Sequence, residues 1–449
     1  MIHRLFLIVI ILVGQVTKAQ QAFDSASYMT AYKKLYPGFR FDSTIRRENL
    51  STEEKLEGLS RVWQEARFNF ANFDLVPNVQ WDSLYRAYVN PVIASKDIHE
   101  YYNVLKQFNQ HLRDGHSRVM EPPAYFFDRF GGLPIRFRYL SNKVVVYENL
   151  SDHNSLKTIT PGLVLEKIDD IPVQEYIKRS ISPYLHFSTP QDSMSRIYTY
   201  QLLSGKPGSS IKLAFTDKNN NQKIVYGVRT RIDFSKRLLD FDELPGNIGH
   251  LTLHNFGSAE IVQQFDSLFA RIQKTSALII DVRYNGGGNS NYGHEILGYL
   301  TREPFLTNVS VMRSYHPSQR AWGGDPVKID IQKDNWKPYR GKYYGKPVVL
   351  LIGPATYSAA EDFTGAFKAN KFGMILGETT GGSTGQPLGY DLPGGGIGFI
   401  CTKRDYMADG TEFVGTGIHP DVFVKPTLAG LQEGIDETLQ AAINLLKRK

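Results

Sequence analysis

A single stretch, residues 348–386, fixes much of what this chain can fold into. Its first five residues form an unbroken apolar run, VVLLI, which is typical of a strand buried on both faces. Gly353 and Pro354 break that run, and from Ser358 onward the apolar residues recur at helical spacing. A second apolar run begins at Met374. The order strand, helix, strand predicts a largely parallel sheet joined by right-handed crossover helices.

Ser358 falls at the turn between this predicted strand and this predicted helix. Serine is a good helix N-cap, so one interpretation is a structural cap without chemistry. The other interpretation is a nucleophile at a helix end, where backbone N–H groups can hold a developing oxyanion. A second buried run, residues 277–282, leads into three glycines at 286–288, whose backbone can approach another group closely. No G-K-[ST] sequence follows these glycines, so a phosphate-binding loop is not indicated.

Four ordered segments resemble the tail-specific, or carboxyl-terminal processing, serine peptidases (peptidase family S41), which include the tricorn core protease. They are D-x-R-x-N-x-G-G at 281–288, T-x-S-A-A-E at 356–361, G-E-x-T-x-G at 377–382 and G-I-x-P-D at 417–421. The resemblance implies hydrolysis of peptide bonds through an acyl-enzyme with Ser358 as nucleophile. It implies no metal and no organic cofactor.

The general base distinguishes two branches of that family. The processing branch uses a lysine at the position held here by Ser383, so a Ser–Lys dyad is not expected. The tricorn-like branch carries a histidine after an N-terminal helical region, and His116 in the sequence DGHS matches it. The resemblance therefore implies His116 as base. It also implies an oxyanion hole made by the N–H of Ala359 with that of Gly287 or Gly288.

A histidine base is normally oriented by an acid or a hydroxyl. The tricorn-like glutamate is absent here, because its place is taken by Val414 or Gly415. Glu412 and Ser383 are the auxiliary candidates. Glu361, one helical turn past the nucleophile, is interpreted as structural.

The N-terminus predicts a secretory signal peptide over residues 1–19. Arg4 precedes an apolar run at 5–13, and small or polar residues lead to Ala19. An uncleaved anchor helix is the alternative, but the apolar run is short for one. Cleavage predicts an exported protein of the bacterial periplasm, cell surface or exterior, with no stable membrane insertion.

Three further domains are predicted after the signal peptide. Residues 20–125 show helical spacing and 126–233 are rich in strand-like runs that resemble a PDZ domain. Residues 234–449 form the expected α/β catalytic core, a mostly parallel sheet with crossover helices of the ClpP/crotonase type. Within it we expect a long loop at 314–344 and a closing amphipathic helix at 430–446.

The composition limits the classes of partner that this protein is expected to bind. The 449-residue chain has a formal net charge of +7 with scattered Lys and Arg, which does not favour nucleic acid. Cys401 is the only cysteine, so no intrachain disulfide can form. Polypeptide substrates are the expected partners, and the sequence does not predict an oligomeric state. The alternative function is a non-catalytic peptide- or lipophile-binding protein on the same domain, as in the retinoid-binding protein of the photoreceptor matrix.

Overall fold

The structure is a computed structural model, and it describes residues 23–35, 42–231, 237–339 and 341–447. The chain divides into two compact units, Met1–Phe39 and Arg40–Lys449. In the first unit the described residues form one helix, α1 Ser25–Leu35. The predicted signal peptide, residues 1–19, lies outside the described residues. Within the described ranges, no helix is long and apolar enough to cross a membrane.

The second unit begins with helices, as the sequence predicts. Ser51 and Glu54 cap the first of them reciprocally, each side chain accepting a hydrogen bond from the other residue's backbone N–H. The elements of this region are α2 Thr52–Asn69, α3 Trp81–Ala94, α4 Ile98–Asn109, the short strand β1 Arg118–Met120 and α5 Pro123–Arg129.

A mixed module of strands and short helices follows. Its sheet has the strand order β2-β3-β4-β6-β7, with β5 paired to β4. Each strand-like run expected in this region is present as a strand, while the PDZ-like character stays a prediction. The elements are β2 Ile135–Leu140, β3 Lys143–Asn149, β4 Val164–Ile168, β5 Ile171–Pro172, α6 Val173–Ser180, α7 Pro190–Ser195, a π-helix Arg196–Gln201, β6 Ser210–Thr216 and β7 Gln222–Val228.

The remainder of the second unit alternates strands and helices before ending in shorter elements. In chain order these are β8 Leu239–Leu244, β9 Ile248–Leu253, α8 Glu260–Ile272, β10 Ala277–Asp281, α9 Ser290–Leu297, β11 Phe305–Tyr315, α10 Pro317–Ala321, β12 Val327–Trp336, β13 Val348–Ile352, α11 Ala359–Ala369, β14 Met374–Gly377, β15 Pro387–Leu392, β16 Gly396–Cys401, β17 Lys403–Met407, β18 Val422–Phe423, α12 Leu428–Glu433 and α13 Glu437–Lys447.

The central sheet has the order β18-β14-β13-β10-β9-β8 and is parallel except where β8 pairs with β9. The predicted, mainly parallel sheet is therefore confirmed. Leu350 belongs to the core cluster shared with residues of α8, α9 and α11, whereas Val349 and Leu351 pack with residues of α13. Apolar groups cover both faces, which explains the unbroken run in β13.

Two predictions about the C-terminal half are wrong. The expected loop at 314–344 is largely an antiparallel hairpin of β11 and β12, with β17 paired to the other side of β11. Many hairpin residues are half-exposed or exposed, which weakened the apolar periodicity. The expected single helix at 430–446 is two helices, because Gly434 adopts φ +73° and ends α12.

One strand pairing joins the N-terminal helices to the C-terminal part of the chain. Strand β1 lies antiparallel to β16, with Arg118 opposite Phe399, in a three-stranded sheet of order β1-β16-β15. Below it, Phe108 of α4 and Ile400 of β16 belong to one buried core cluster. The helical region thus shares one core with strands β15 and β16, and His116 lies in the loop that leads into β1.

Ile400→Ala should lower the free energy of unfolding by about 2–5 kcal/mol, because it leaves a cavity where a fully buried side chain joins the helices to β16. Chemical denaturation followed by circular dichroism measures the loss. Because the helices and β16 share this core, wild type should lose them in one transition. If the helices of the variant unfolded in a separate transition, while the rest of the protein unfolded as in wild type, the shared core would be contradicted.

Candidate active site

Ser358 stands at the carboxyl end of β13 in a strained turn. Its backbone adopts φ 56° and ψ −124°, a conformation that residues with a Cβ rarely take. Thr356 fixes the turn, because its hydroxyl accepts from the Gly353 N–H at 3.0 Å and donates to the Val282 carbonyl at 2.8 Å. The Ser358 side chain makes no capping hydrogen bond to α11. The purely structural cap interpretation therefore does not describe this serine.

His116 reaches Ser358 from the loop between α4 and β1. Its Nε2 lies 2.9 Å from the Ser358 Oγ. Asp114 shapes this loop, since one carboxylate oxygen accepts from the N–H groups of His116 at 3.0 Å and Ser117 at 2.6 Å. Gly115 is required for close approach: a Cβ there would lie 2.0 Å from the Tyr357 hydroxyl. The DGHS sequence thus aims the imidazole by local geometry.

The second ring nitrogen of His116 faces hydroxyl groups. Nδ1 lies 2.8 Å from the Ser383 Oγ and 3.4 Å from the Tyr357 hydroxyl. The Tyr357 ring stacks on the imidazole, with ring centroids 5.0 Å apart and an angle of 15° between the planes. If Nε2 accepts the Ser358 proton, Nδ1 carries the other hydrogen and donates it to Ser383. Both flanking serines are therefore consistent with one tautomer of neutral His116.

Glu361 holds the loop that presents Ser383. Its carboxylate accepts from the N–H groups of Gly382 at 2.7 Å and Ser383 at 2.8 Å, and pairs with the Thr380 hydroxyl at 2.5 Å. The side chain is fully buried. Burial raises the pKa of Glu361 to about 8, and its hydrogen-bond donors oppose that rise. The structural interpretation of this acid agrees with these contacts, which also link it to the base through Ser383.

The glycine turn lies directly against the nucleophile. Gly287 has φ +102°, and a Cβ there would come within 2.7 Å of the Ser358 Cβ. Its N–H donates to the Asn285 side-chain oxygen at 2.9 Å. In the described part of the chain, neither the Ala359 N–H nor the Gly288 N–H donates to a protein group. The oxyanion hole stays a prediction, and of the two glycines Gly288 has the unoccupied donor.

A segment of the preceding β-rich module closes the other side of the site. Thr189 donates its hydroxyl to the Gly381 carbonyl at 2.7 Å, and the Ser188 hydroxyl accepts from the Gly115 N–H at 2.9 Å. Arg196 lies over the Tyr357 ring, 5.0 Å from its centroid, and pairs with Asp192 at 2.7 Å. The nearby helical residues thus support the stacked side chains beside the base.

Electrostatics favour the neutral form of His116. Burial lowers its pKa to about 3, and the positive charges of Arg196, Arg118 and Lys403 contribute to the shift. A neutral imidazole can accept a proton at Nε2, so the base form exists over most of the pH range.

The cleft that contains Ser358 has a volume of about 950 Å³ and runs between the β-rich module and the α/β core. Its lining includes Pro134 and Tyr200 from the module and Tyr284 and Gly286 from the core. A substrate that enters this cleft therefore lies against both Ser358 and His116.

The structure brings most of the predicted site residues together and leaves one aside. Ser358, His116, Ser383 and the glycine turn adjoin one another, whereas Glu412 forms an ion pair with Arg404 at 3.0 Å instead of contacting His116. The sequence did not reveal the roles of Tyr357 and Arg196. Tyr357 immediately precedes the serine and could have been noticed, but no local pattern marks Arg196.

The α/β core matches a known family. Residues 247–424 match the model of peptidase family S41. The tail-specific protease of Haemophilus influenzae is 25% identical over 251 residues, which cover 52% of this chain and 33% of that protein. The carboxyl-terminal-processing protease of Picosynechococcus is 27% identical over 257 residues, covering 54% and 56%. The tricorn protease of Thermoplasma acidophilum is 26% identical over 279 residues, covering 57% and 25%.

Solved structures share the fold. Mature CPAF superposes with a TM-score of 0.65 at 15% identity, covering 89% of this chain and 98% of that one. The photosystem II D1 C-terminal processing protease superposes with a TM-score of 0.52 at 20% identity, covering 86% and 98%. The α/β region of this chain is therefore similar to peptidase family S41 in sequence, and the chain shares the fold of these solved structures. It spans between a quarter and about half of the length of the three curated relatives.

Ser358→Gly should unfold with a free energy about 1 kcal/mol higher than that of Ser358→Ala, because only glycine relieves the positive φ at this turn. Denaturant titration of the two variants measures the difference. Ser267, exposed within α8, provides the matched control, and there alanine should be the more stable replacement. An alanine variant at 358 as stable as the glycine variant would contradict the strain.

Proposed function

We propose that this protein is an exported serine endopeptidase that cuts unfolded or tail-exposed polypeptides. One observation carries the proposal: the hydroxyl of Ser358, at the end of a parallel strand, lies 2.9 Å from His116 Nε2. The other ring nitrogen has a hydroxyl partner 2.8 Å away in Ser383. A serine, a base with a fixed tautomer and unoccupied N–H donors are the groups that acyl transfer needs.

The reaction follows from that arrangement. Ser358 Oγ attacks the peptide carbonyl carbon while its proton passes to His116 Nε2. The oxygen of the tetrahedral intermediate lies near the N–H of Ala359 and that of Gly288 or Gly287. When the C–N bond breaks, His116 returns the proton to the leaving amine. Water then attacks the ester with His116 again as base, which releases the second product as a carboxylic acid and restores Ser358.

Ser383 takes the place that a carboxylate holds in many triads. It accepts the Nδ1 hydrogen and so keeps Nε2 free to act on Ser358. A hydroxyl stabilises an imidazolium less than a carboxylate does, because it carries no charge. The buried carboxylate of Glu361 acts one step away, on the backbone of the Ser383 loop. We therefore assign Ser383 as a positioning residue.

The substrate class is supported by the cleft and by the relatives. The cleft has a volume of about 950 Å³ and is lined by both Ser358 and His116, and we expect a segment of unfolded polypeptide to occupy it. The matching relatives are named as tail-specific and carboxyl-terminal-processing proteases. Export rests on the signal peptide predicted for residues 1–19.

Ser358→Ala should lose at least about 10⁴-fold in kcat/KM, because the nucleophile is gone, and His116→Ala should lose a comparable factor. The measurement incubates each protein with a mixture of unfolded polypeptides and identifies new termini by mass spectrometry. Ser267→Ala should cut like wild type. No cutting by folded wild type, together with tight binding of peptides or lipophilic ligands, would support the non-catalytic alternative.

Activity should persist well below pH 6.5. The pKa of His116 is lowered to about 3, so the base is neutral at pH 5 and the acid limb of kcat/KM lies lower still. The same shift makes folding less favourable as pH falls from 6.5, because the unfolded histidine binds a proton before the folded one does. Circular dichroism at each pH distinguishes activity lost by unfolding from activity lost by protonation of His116. An acid limb centred near 6.5 in folded protein would contradict the prediction.

A further inference from the structure

Arg118 lies on the wall of the cleft that contains the nucleophile. It is the first residue of β1, two positions after His116, and lines the same cleft as Ser358 and Tyr357. Its guanidinium lies over the ring of Phe399, the residue opposite it on β16, at 4.9 Å from the ring centroid. Stacking on an aromatic face holds the guanidinium plane in place and leaves its edge available for hydrogen bonds.

Arg118 differs from the other arginines of this cleft in having no counterion. Within the described ranges, no hydrogen bond or ion pair is formed by its side chain, and its Nε is buried without a partner. Asp152, an acid that also lines the cleft, is exposed to water. The other three arginines are paired with carboxylates as Arg196–Asp192 at 2.7 Å, Arg136–Glu148 at 2.6 Å and Arg237–Asp240 at 2.7 Å.

An unpaired guanidinium with a buried nitrogen is unfavourable in the free protein. Burial lowers the pKa of Arg118, and the positive charge of nearby Arg196 lowers it further. Leaving a buried donor without an acceptor carries a desolvation cost that a ligand can offset. The group that best matches a guanidinium edge is a carboxylate, which accepts two parallel hydrogen bonds.

We propose that Arg118 binds a carboxylate of the substrate beside the scissile bond. The carboxylate belongs either to the chain end of the polypeptide or to an aspartate or glutamate side chain near the cut. This specificity rests on the proposed function, since it places a charged group of the substrate in the cleft of Ser358. Arg118 thereby makes the peptidase selective for sites that carry a negative charge near the scissile bond.

The experiment compares short synthetic peptides built around one cleavage site. The first peptide has neutral side chains and a free C-terminal carboxylate, and the second is the same peptide with a C-terminal amide. The third is amidated and carries one glutamate at successive positions near the cut, with glutamine at the same positions as its control. For wild type we expect kcat/KM to be roughly tenfold or more higher with a carboxylate than with its neutral counterpart.

Arg118→Met should remove that preference, and Arg118→Lys should retain part of it because the charge remains without the two-pronged geometry. Arg237→Met is the matched control, since it removes an arginine of the same cleft that already has a partner. It should keep the full preference. The peptide pair that shows the effect identifies the source: the first two indicate a chain end, whereas glutamate against glutamine indicates a side chain.

A binding measurement separates this inference from the proposed function. Ser358→Ala protein is titrated with the same fluorescent peptides, and the carboxylate forms should bind roughly tenfold or more tightly than their neutral counterparts. The double variant Ser358→Ala, Arg118→Met should bind all of them alike. Equal binding and equal cleavage of charged and neutral peptides by the protein with Arg118 intact would overturn the inference. If wild type cleaved no peptide but the binding preference were present, the proposed peptidase activity would be contradicted and the carboxylate-binding role of Arg118 would stand.

Discussion

The antiparallel pairing of β1 with β16 is the contact on which the site depends. His116 and Ser358 are 242 positions apart in the chain, and their side chains meet at 2.9 Å. The parallel sheet fixes the serine, but nothing in that sheet holds the histidine. Its position follows from the edge of β16 and from the core that the N-terminal helices share with that strand. The contact between His116 and Ser358 therefore requires both the N-terminal helices and the strands that follow Ser358.

The acidic side chains around this site bind the backbone of two loops, whereas the ring nitrogens of His116 contact hydroxyl groups. Asp114 binds the backbone of the histidine loop, and Glu361 binds the backbone of the serine loop. Burial, together with the positive charges of Arg196, Arg118 and Lys403, lowers the pKa of His116 and keeps the imidazole neutral. Asp114 within one loop and Glu361 of α11 against the other thus hold the ring between Ser358 and Ser383. Geometric restraint replaces the direct carboxylate–imidazole contact that many serine peptidases use.

The sequence predicted whatever depends on local signals. The strand, turn and helix around Ser358 follow from an apolar run, a Gly-Pro break and helical spacing, and they are confirmed. His116 was found only through a family resemblance, because no periodicity links residues so far apart. The hairpin at β11 and β12 was missed since its strands lie partly exposed. The stack of Tyr357 and Arg196 joins residues that are far apart in the chain, and a single sequence contains no signal for such a contact.

The pairing of β1 with β16 also governs when His116 and Ser358 can come together during synthesis of the chain. The ribosome makes the histidine loop first, then the nucleophile, and the strand that aligns them only afterwards, up to Cys401. A nascent chain that already contains Ser358 still lacks the edge against which β1 docks. His116 and Ser358 are then not yet held together. The order of segments along the polypeptide thus delays assembly of the site until the fold is nearly complete.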